Sequence, residues 1–241
     1  MIELYQFPIS HFCEKVRWAL DYKNIDYKKT NLLPGLHVIK TRKVSAKNAV
    51  PILLHNGRVI EDSSCIITHL DQEFPENSLT PENTTLQGQA LEWEKYIDKE
   101  VGVHIRRCCY HIILEHPDIV VSFLSSDGPW YGKFVIKRMF PGLRKKMRKM
   151  MRINDESFET SRVRLRAAVN KLDEQYQSKE YLVGDSFSRA DLTAAALIAP
   201  LYMPDKYGLN WPEAMPEKLQ QFVDEFRDKT QWVHRLYQQH R

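Results

Sequence analysis

Pro8-Ile9-Ser10-His11-Phe12-Cys13-Glu14-Lys15-Val16-Arg17 joins an apolar run, Ile2 to Phe7, to the first helical pattern of the chain. Ser10 stands at a natural N-cap position, and Phe12, Val16, Ala19 and Leu20 follow at helical spacing as one apolar face turned to a sheet. In α/β sheets, ligands gather where a strand's carboxyl end meets a helix N-terminus, because free amides and the helix dipole favour an anion there. A thiolate is a suitable anion. The Ser10 hydroxyl can donate a hydrogen bond to a sulfur held at that end and lower its pKa without losing its own proton. The same residues are equally compatible with Ser10 as a plain N-cap. Cys13, one turn further in, is either a thiol of lowered pKa or a small apolar residue packed in the core. His11 reads as a solvent-exposed imidazole.

Outward from this segment, strand patterns cover Ile2 to Phe7, Tyr27 to Leu33, Ile52 to His55 and Arg58 to Glu61, in the order β-α-β-α-β-β-α. Asn56-Gly57 between two short apolar runs signals a type I′ hairpin, so the last two strands are expected antiparallel. Asp62 and Ser63 can cap the next helix, whose stripe of Ile66, Ile67, Leu70 and Phe74 ends at Pro75. Residues 76–84 are polar with a proline, and strand signals cease after them. That places an α/β domain over 1–79 and an all-helical domain over 85–241. Leu86, Ala90, Trp93, Ile97 and Val101 mark one helix of the second domain, and Leu165, Val169, Leu172 and Tyr176 another. Ser188 with Asp191 three residues later forms a capping-box pattern before an alanine-rich buried helix. Leu219 to Phe226 and Trp232 to Tyr237 give two more helices.

Four landmarks in this order resemble the cytosolic glutathione S-transferases, of a bacterial type with a Ser-x-x-Cys active-site motif. They are Ser10 to Cys13, Val50-Pro51, Asp62-Ser63-Ser64-Cys65-Ile66, and Gly184-Asp-Ser-Phe-Ser-Arg-Ala-Asp191. The resemblance spans nearly the whole chain. It implies a thioredoxin-like α/β N-terminal domain on an all-α C-terminal domain, with glutathione as co-substrate. It also implies a cis Val50-Pro51 bond that exposes backbone for pairing with the cysteinyl part of the tripeptide. By the same likeness, Asp62 and Ser63 meet the γ-glutamyl end, Phe12 borders the site, and His37, with Lys40 as rival, meets the glycyl carboxylate. Ser10 and Cys13 are the catalytic candidates. His11 stands where the family commonly has proline, and Asp62 where it has Glu or Gln.

A serine at position 10 favours conjugation or peroxide chemistry, because a cysteine there would be captured as a mixed disulfide. The activity implied is transfer of the glutathione thiolate to a small hydrophobic electrophile, with peroxidase or thiol-transferase side activity. Two alternatives stand beside it: a non-catalytic module of the same fold, and a Cys13-dependent thiol oxidoreductase. The family also implies a homodimer and a helical-domain pocket for the electrophile, with Tyr110, Trp130, Tyr131 and Met139 as candidates by location.

Composition bounds the partners. With 241 residues, four cysteines and no apolar run near the length of a bilayer span, the chain is expected to be a cytoplasmic protein of one or two domains with reduced thiols. Nine of its 35 cationic side chains and none of its 31 acidic ones fall between Lys133 and Arg152, so a net +4 becomes −5 without that stretch. No nucleic-acid partner is expected from so small an excess. The basic stretch interleaves Phe134, Ile136, Phe140, Leu143 and Met147 with its cations. It reads as a solvated helix with one buried face, able to cover the electrophile pocket or weakly touch an anionic surface. His104, Cys108 and His111 share a helix face, but seven residues rise about 10.5 Å, too far to close on one metal. No metal is expected.

Overall fold

A computed structural model describes residues 1–45, 47–209, 211 and 215–241. Four strands, β1 (Ile2–Gln6), β2 (Lys28–Asn31), β3 (Ile52–His55) and β4 (Arg58–Glu61), form one sheet in the order β2-β1-β3-β4. β1 runs parallel to β2 and antiparallel to β3, and β3 and β4 form the hairpin, with positive φ at Asn56 and Gly57 as its turn requires. β2 is shorter than its apolar pattern suggests. Lys28 and Lys29 sit exposed on this edge strand, where lysines discourage pairing with another chain.

Helices α1 (His11–Tyr22), α2 (His37–Thr41) and α3 (Ser63–Glu73) complete this half, a thioredoxin-like arrangement. The expectation of a single apolar face on α1 is corrected. Cys13 through Leu20 are all buried, including Glu14, Lys15 and Arg17, because α1 is wedged between α3 and the buried, alanine-rich helix of the second half. Its charges survive burial by pairing: Arg17 meets Glu14 at 2.7 Å, and Lys15 meets Glu94 at 2.8 Å.

Among the described residues, every element after Glu61 is helical, and the second half holds α4 (Thr84–Ile97), α5 (Val103–Ile113), α6 (Pro117–Ser125), α7 (Gly132–Met151), α8 (Asp155–Ser178), α9 (Arg189–Tyr202), α10 (Glu217–Asp224) and α11 (Gln231–His240). A π-turn at Asp98–Gly102 joins α4 to α5 without a break. The capping box forms as the spacing predicts: Asp191 accepts from the Ser188 amide at 3.0 Å, and Ser188 Oγ accepts from the Ala190 amide at 3.3 Å. Asp191 also accepts from Tyr176 and from the Leu182 amide, so the start of α9 is tied to α8 and the loop after it. Among the described residues, no helix is long and apolar enough to cross a membrane.

Candidate functional site

Strand register brings the sequence-distant candidates to one end of the sheet. Tyr5 pairs with Ile52 and Ile52 with Glu61, so the loop after β1, the Val50-Pro51 step before β3 and the start of α3 after β4 are neighbours. Ser10 caps α1: its hydroxyl oxygen accepts from the Cys13 amide at 3.3 Å. Capping uses a lone pair and leaves the hydroxyl hydrogen free to donate, so the two readings of Ser10 are compatible. The loop ahead of it is braced from below. Arg17 Nη2 donates to the Pro8 carbonyl at 3.2 Å, and the fully buried Tyr207 donates to the Ile9 carbonyl at 2.8 Å.

Of its neighbours, His11 departs from the expected exposure and Cys13 takes the packed alternative. His11 is buried, with Nε2 donating to the Gly102 carbonyl at 2.9 Å; desolvation, aided by the Arg106 charge, holds its pKa down at about 3. It is therefore neutral and adds no positive charge. Cys13 is fully buried, and that burial pushes its thiol pKa up despite the Ser10 contact and the nearby Arg17. Desolvation outweighs the helix N-terminus here.

Ser10, His37 and Val50 line one cavity of about 680 Å³ between the two halves of the fold. The Val50–Pro51 bond is cis, and among the described residues Val50 makes no backbone–backbone hydrogen bond. Its peptide groups are open to an extended ligand. His37 is differently engaged from what the likeness implied. Its Nδ1 accepts from the Gly35 amide at 3.1 Å, so Nε2 carries the proton and donates to the Asn48 carbonyl at 3.1 Å. Both ring nitrogens are thus spent on the loop, while the exposed Arg42 and Lys146 line the same cavity with no ion-pair partner among the described residues. Asp62 and Phe12 open instead on a shallow groove of about 830 Å³ between α3 and α4. Asp62 Oδ1 caps α3 through the Ser64 amide at 2.9 Å, Ser63 is buried in the first turn, and Pro51 is buried beside the sheet.

The far wall of the cavity is helical and largely apolar: Ile105, Tyr110, Phe123, Leu143, Met147 and Trp211 contribute to it. Of the pocket candidates Tyr110 lines it, whereas Trp130, Tyr131 and Met139 do not, and Trp130 is 94% exposed. α7 buries Ile136, Phe140, Leu143 and Met147 and turns Lys133, Lys137, Arg138, Lys145 and Lys149 outward. The three residues with a superficial metal-binding spacing face separate partners: His104 meets Ser161, Cys108 lies 3.9 Å from the Phe158 carbonyl, and His111 meets Asp155.

Family models agree with this architecture at both ends of the chain. The glutathione S-transferase N-terminal domain matches residues 4–78 and its C-terminal domain residues 133–236, between them most of the sequence. The chain belongs to the glutathione S-transferase family. It is 38% identical over 96 residues to glutathione S-transferase 1 of Dianthus caryophyllus, a match covering 39% of this chain and 42% of that one. The chain thus spans less than half the length of that curated relative. In structure it resembles a beta-etherase from a Sphingobium species, with TM-score 0.63, 20% identity and 98% of each chain covered. It also resembles a glutathione transferase from Phanerochaete chrysosporium crystallised with oxidized glutathione, with TM-score 0.66, 16% identity, and 99% and 91% covered.

Set beside the other glutathione S-transferase landmarks, the residues that sequence reasoning missed are those whose partners are remote. Tyr207 braces Ile9 across 198 residues, and Arg106 reaches the cavity from α5. Arg106 sits in a run that reads as an ordinary helix, and a cation on a helix carries no local sign that it faces a cavity.

Proposed function

We propose that this chain is a glutathione transferase that conjugates glutathione to a small, largely apolar electrophile. Glutathione lies along the open backbone of Val50. Its γ-glutamyl end extends to the Asp62 carboxylate, which opens on the groove between α3 and α4, and its glycyl carboxylate meets Arg42 and Lys146 rather than the internally satisfied His37. Its sulfur sits at Ser10. There the hydroxyl hydrogen and the uncapped amides of the first turn of α1 favour the thiolate, and the electrophile approaches from the apolar helical wall. The observation that carries this reading is the placement of Ser10, hydroxyl hydrogen unspent, on a cavity shared with Val50 and an apolar second wall. The burial of Cys13 weighs against the oxidoreductase alternative, since a buried thiol of raised pKa is a poor nucleophile. The transferase reading carries the homodimer with it.

The test is a titration of bound glutathione by ultraviolet thiolate absorbance in the wild type, Ser10→Ala and Cys13→Ala, with intact mass recorded alongside. The expected result is a depressed thiol pKa that Ser10→Ala alone abolishes. Turnover of that variant falls about 10- to 100-fold, the worth of one hydrogen bond to a charged sulfur, with a smaller change in glutathione affinity. A bound thiol with its free-solution pKa would replace this reading with a non-catalytic binding module. A mixed disulfide lost in Cys13→Ala would replace it with redox chemistry.

A further inference from the structure

Arg106, Arg107 and Arg152 converge on a second, smaller pocket of about 190 Å³, lined otherwise by Val103, Met150 and Met151. Among the described residues, no carboxylate lines it. Arg106, Met150 and Met151 also line the large cavity, so the two concavities adjoin. Arg107 is held by neutral acceptors, its Nε by the Met151 carbonyl at 3.1 Å and its Nη1 by Ser161 Oγ at 2.8 Å. The side chains of Arg106 and Arg152 have neither an ion pair nor a hydrogen bond among the described residues. Among the described residues, the other arginines of the second half find acids except the exposed Arg138: Arg162 and Arg166 pair with Glu225, Arg164 with Glu100, and Arg189 with Glu94.

Three guanidinium groups gathered with no counterion among the described residues repel one another, and the partial burial of Arg106 and Arg107, though not of the exposed Arg152, adds to the cost. Desolvation and the adjacent Arg107 hold the Arg106 pKa below its ordinary value, and no carboxylate counters them. Guanidinium is the side chain best matched in shape to a planar or tetrahedral oxyanion. We propose that this pocket is an anion subsite of the second-substrate cavity, and that the electrophile is an amphipathic acid. Its apolar body packs among Tyr110, Met147 and Met150, and its carboxylate or other oxyanion enters the arginine pocket. The assignment of the cavity to an electrophile rests on the transferase reading; the anion subsite itself does not.

The probes are ethacrynic acid, an aryloxyacetic acid carrying an α,β-unsaturated ketone, and its methyl ester. In both, the glutathione thiolate adds to the terminal alkene carbon and the new C–S bond forms as the π pair moves to the α carbon. That carbon then takes up the proton the thiol released, so no leaving group or oxidant is needed. In the wild type, kcat/KM for the acid should exceed that for the ester by about tenfold or more, the scale of one charge-assisted hydrogen-bonded contact. Arg106→Gln and Arg152→Gln should each bring the ratio towards one, whereas Arg166→Gln, whose partner is Glu225, should leave it where it is. A wild-type ratio at or below one, or a ratio indifferent to Arg106→Gln, overturns the proposal. Failure to conjugate either probe would instead remove the transferase reading. The subsite is then decided by calorimetric titration with the saturated, unreactive analogues. Tighter binding of the acid that is lost in Arg106→Gln sustains it, and equal affinity for acid and ester overturns it.

Discussion

His11 is one residue past Ser10, with its ring 5% exposed and Nε2 2.9 Å from a carbonyl that can only accept, so the neutral ring carries its proton on Nε2. A protonated ring there would be a desolvated cation facing Arg106, which is why its pKa drops to about 3. The unfolded chain takes up this proton near pH 6.5, and the folded one does so only near pH 3. The stability that His11 contributes is therefore complete above pH 6.5. It is lost as pH falls, by about 2 kcal/mol between pH 7 and pH 5. His11→Gln keeps an N–H donor for Gly102 and removes the titration. Its urea-unfolding free energy should decline less steeply than that of the wild type over this range, and parallel profiles would refute the assignment. His37, His69, His104 and His240, also held low chiefly by burial, contribute to both proteins and cancel. Ser10 was legible as the N-cap of α1 because capping is written in the residues that follow it. The burial of His11 was not, because its hydrogen-bond partner stands 91 residues away.

The π-turn between α4 and α5 shows the same division among elements. Leu86, Ala90, Trp93, Ile97 and Val101 keep helical spacing through it, so the continuous helix was readable and the change of pitch was not. Gly102 is required by a close approach. A Cβ on it would lie 2.6 Å from Phe12 Cζ and 2.9 Å from Leu197 Cδ1, where α1 and α9 press on the turn. Gly88, within α4, has nothing within 4 Å of the same position. Gly88→Ala should stabilise by about 1 kcal/mol through helix propensity alone. Gly102→Ala gains the same term and meets overpacking of about 1–3 kcal/mol, so its net effect is a loss. Calorimetry should find the two melting temperatures displaced in opposite directions, and a shared sign would show that the turn has room to spare. The strands, the hairpin and both capped helices after Asp62 and Ser188 were legible because turns and caps are local chemistry. The position of α7 was not, since its periodicity shows only that one face is buried and is silent about what it covers.

Across the whole molecule, the two halves are joined through buried charge as well as apolar packing. Lys15 Nζ of α1 lies 2.8 Å from Glu94 and 3.0 Å from Asp98, and Arg189 Nε of α9 lies 2.8 Å from the other oxygen of Glu94. Arg189 also donates to Thr68, Thr80 and the Ser64 carbonyl, so one guanidinium ties α9 to α3 and to the connection after it. Nothing local in the sequence marks these charges as buried. Their partners stand 79 to 95 residues away, and the resemblance to a two-domain family implied that the halves meet but not by which residues. Burial raises the Glu94 carboxyl, but Lys15 and Arg189 overcome it and hold the pKa below the usual carboxylate range. The stability it contributes is thus present above about pH 4.5 and is lost as pH falls towards its folded value. Removing that charge leaves the buried Arg189 with only neutral acceptors and the buried Lys15 with Asp98 alone, so Glu94→Gln should cost about 3–5 kcal/mol in guanidinium unfolding at pH 7. Lys15→Met in the same background should restore part of the loss, because it withdraws one of the orphaned cations. A double-mutant cycle should therefore give a coupling of about 1 kcal/mol or more. Additive effects of the two substitutions would mean that Lys15 and Glu94 act independently, and the junction would then rest on the packing of α1 against α9 alone.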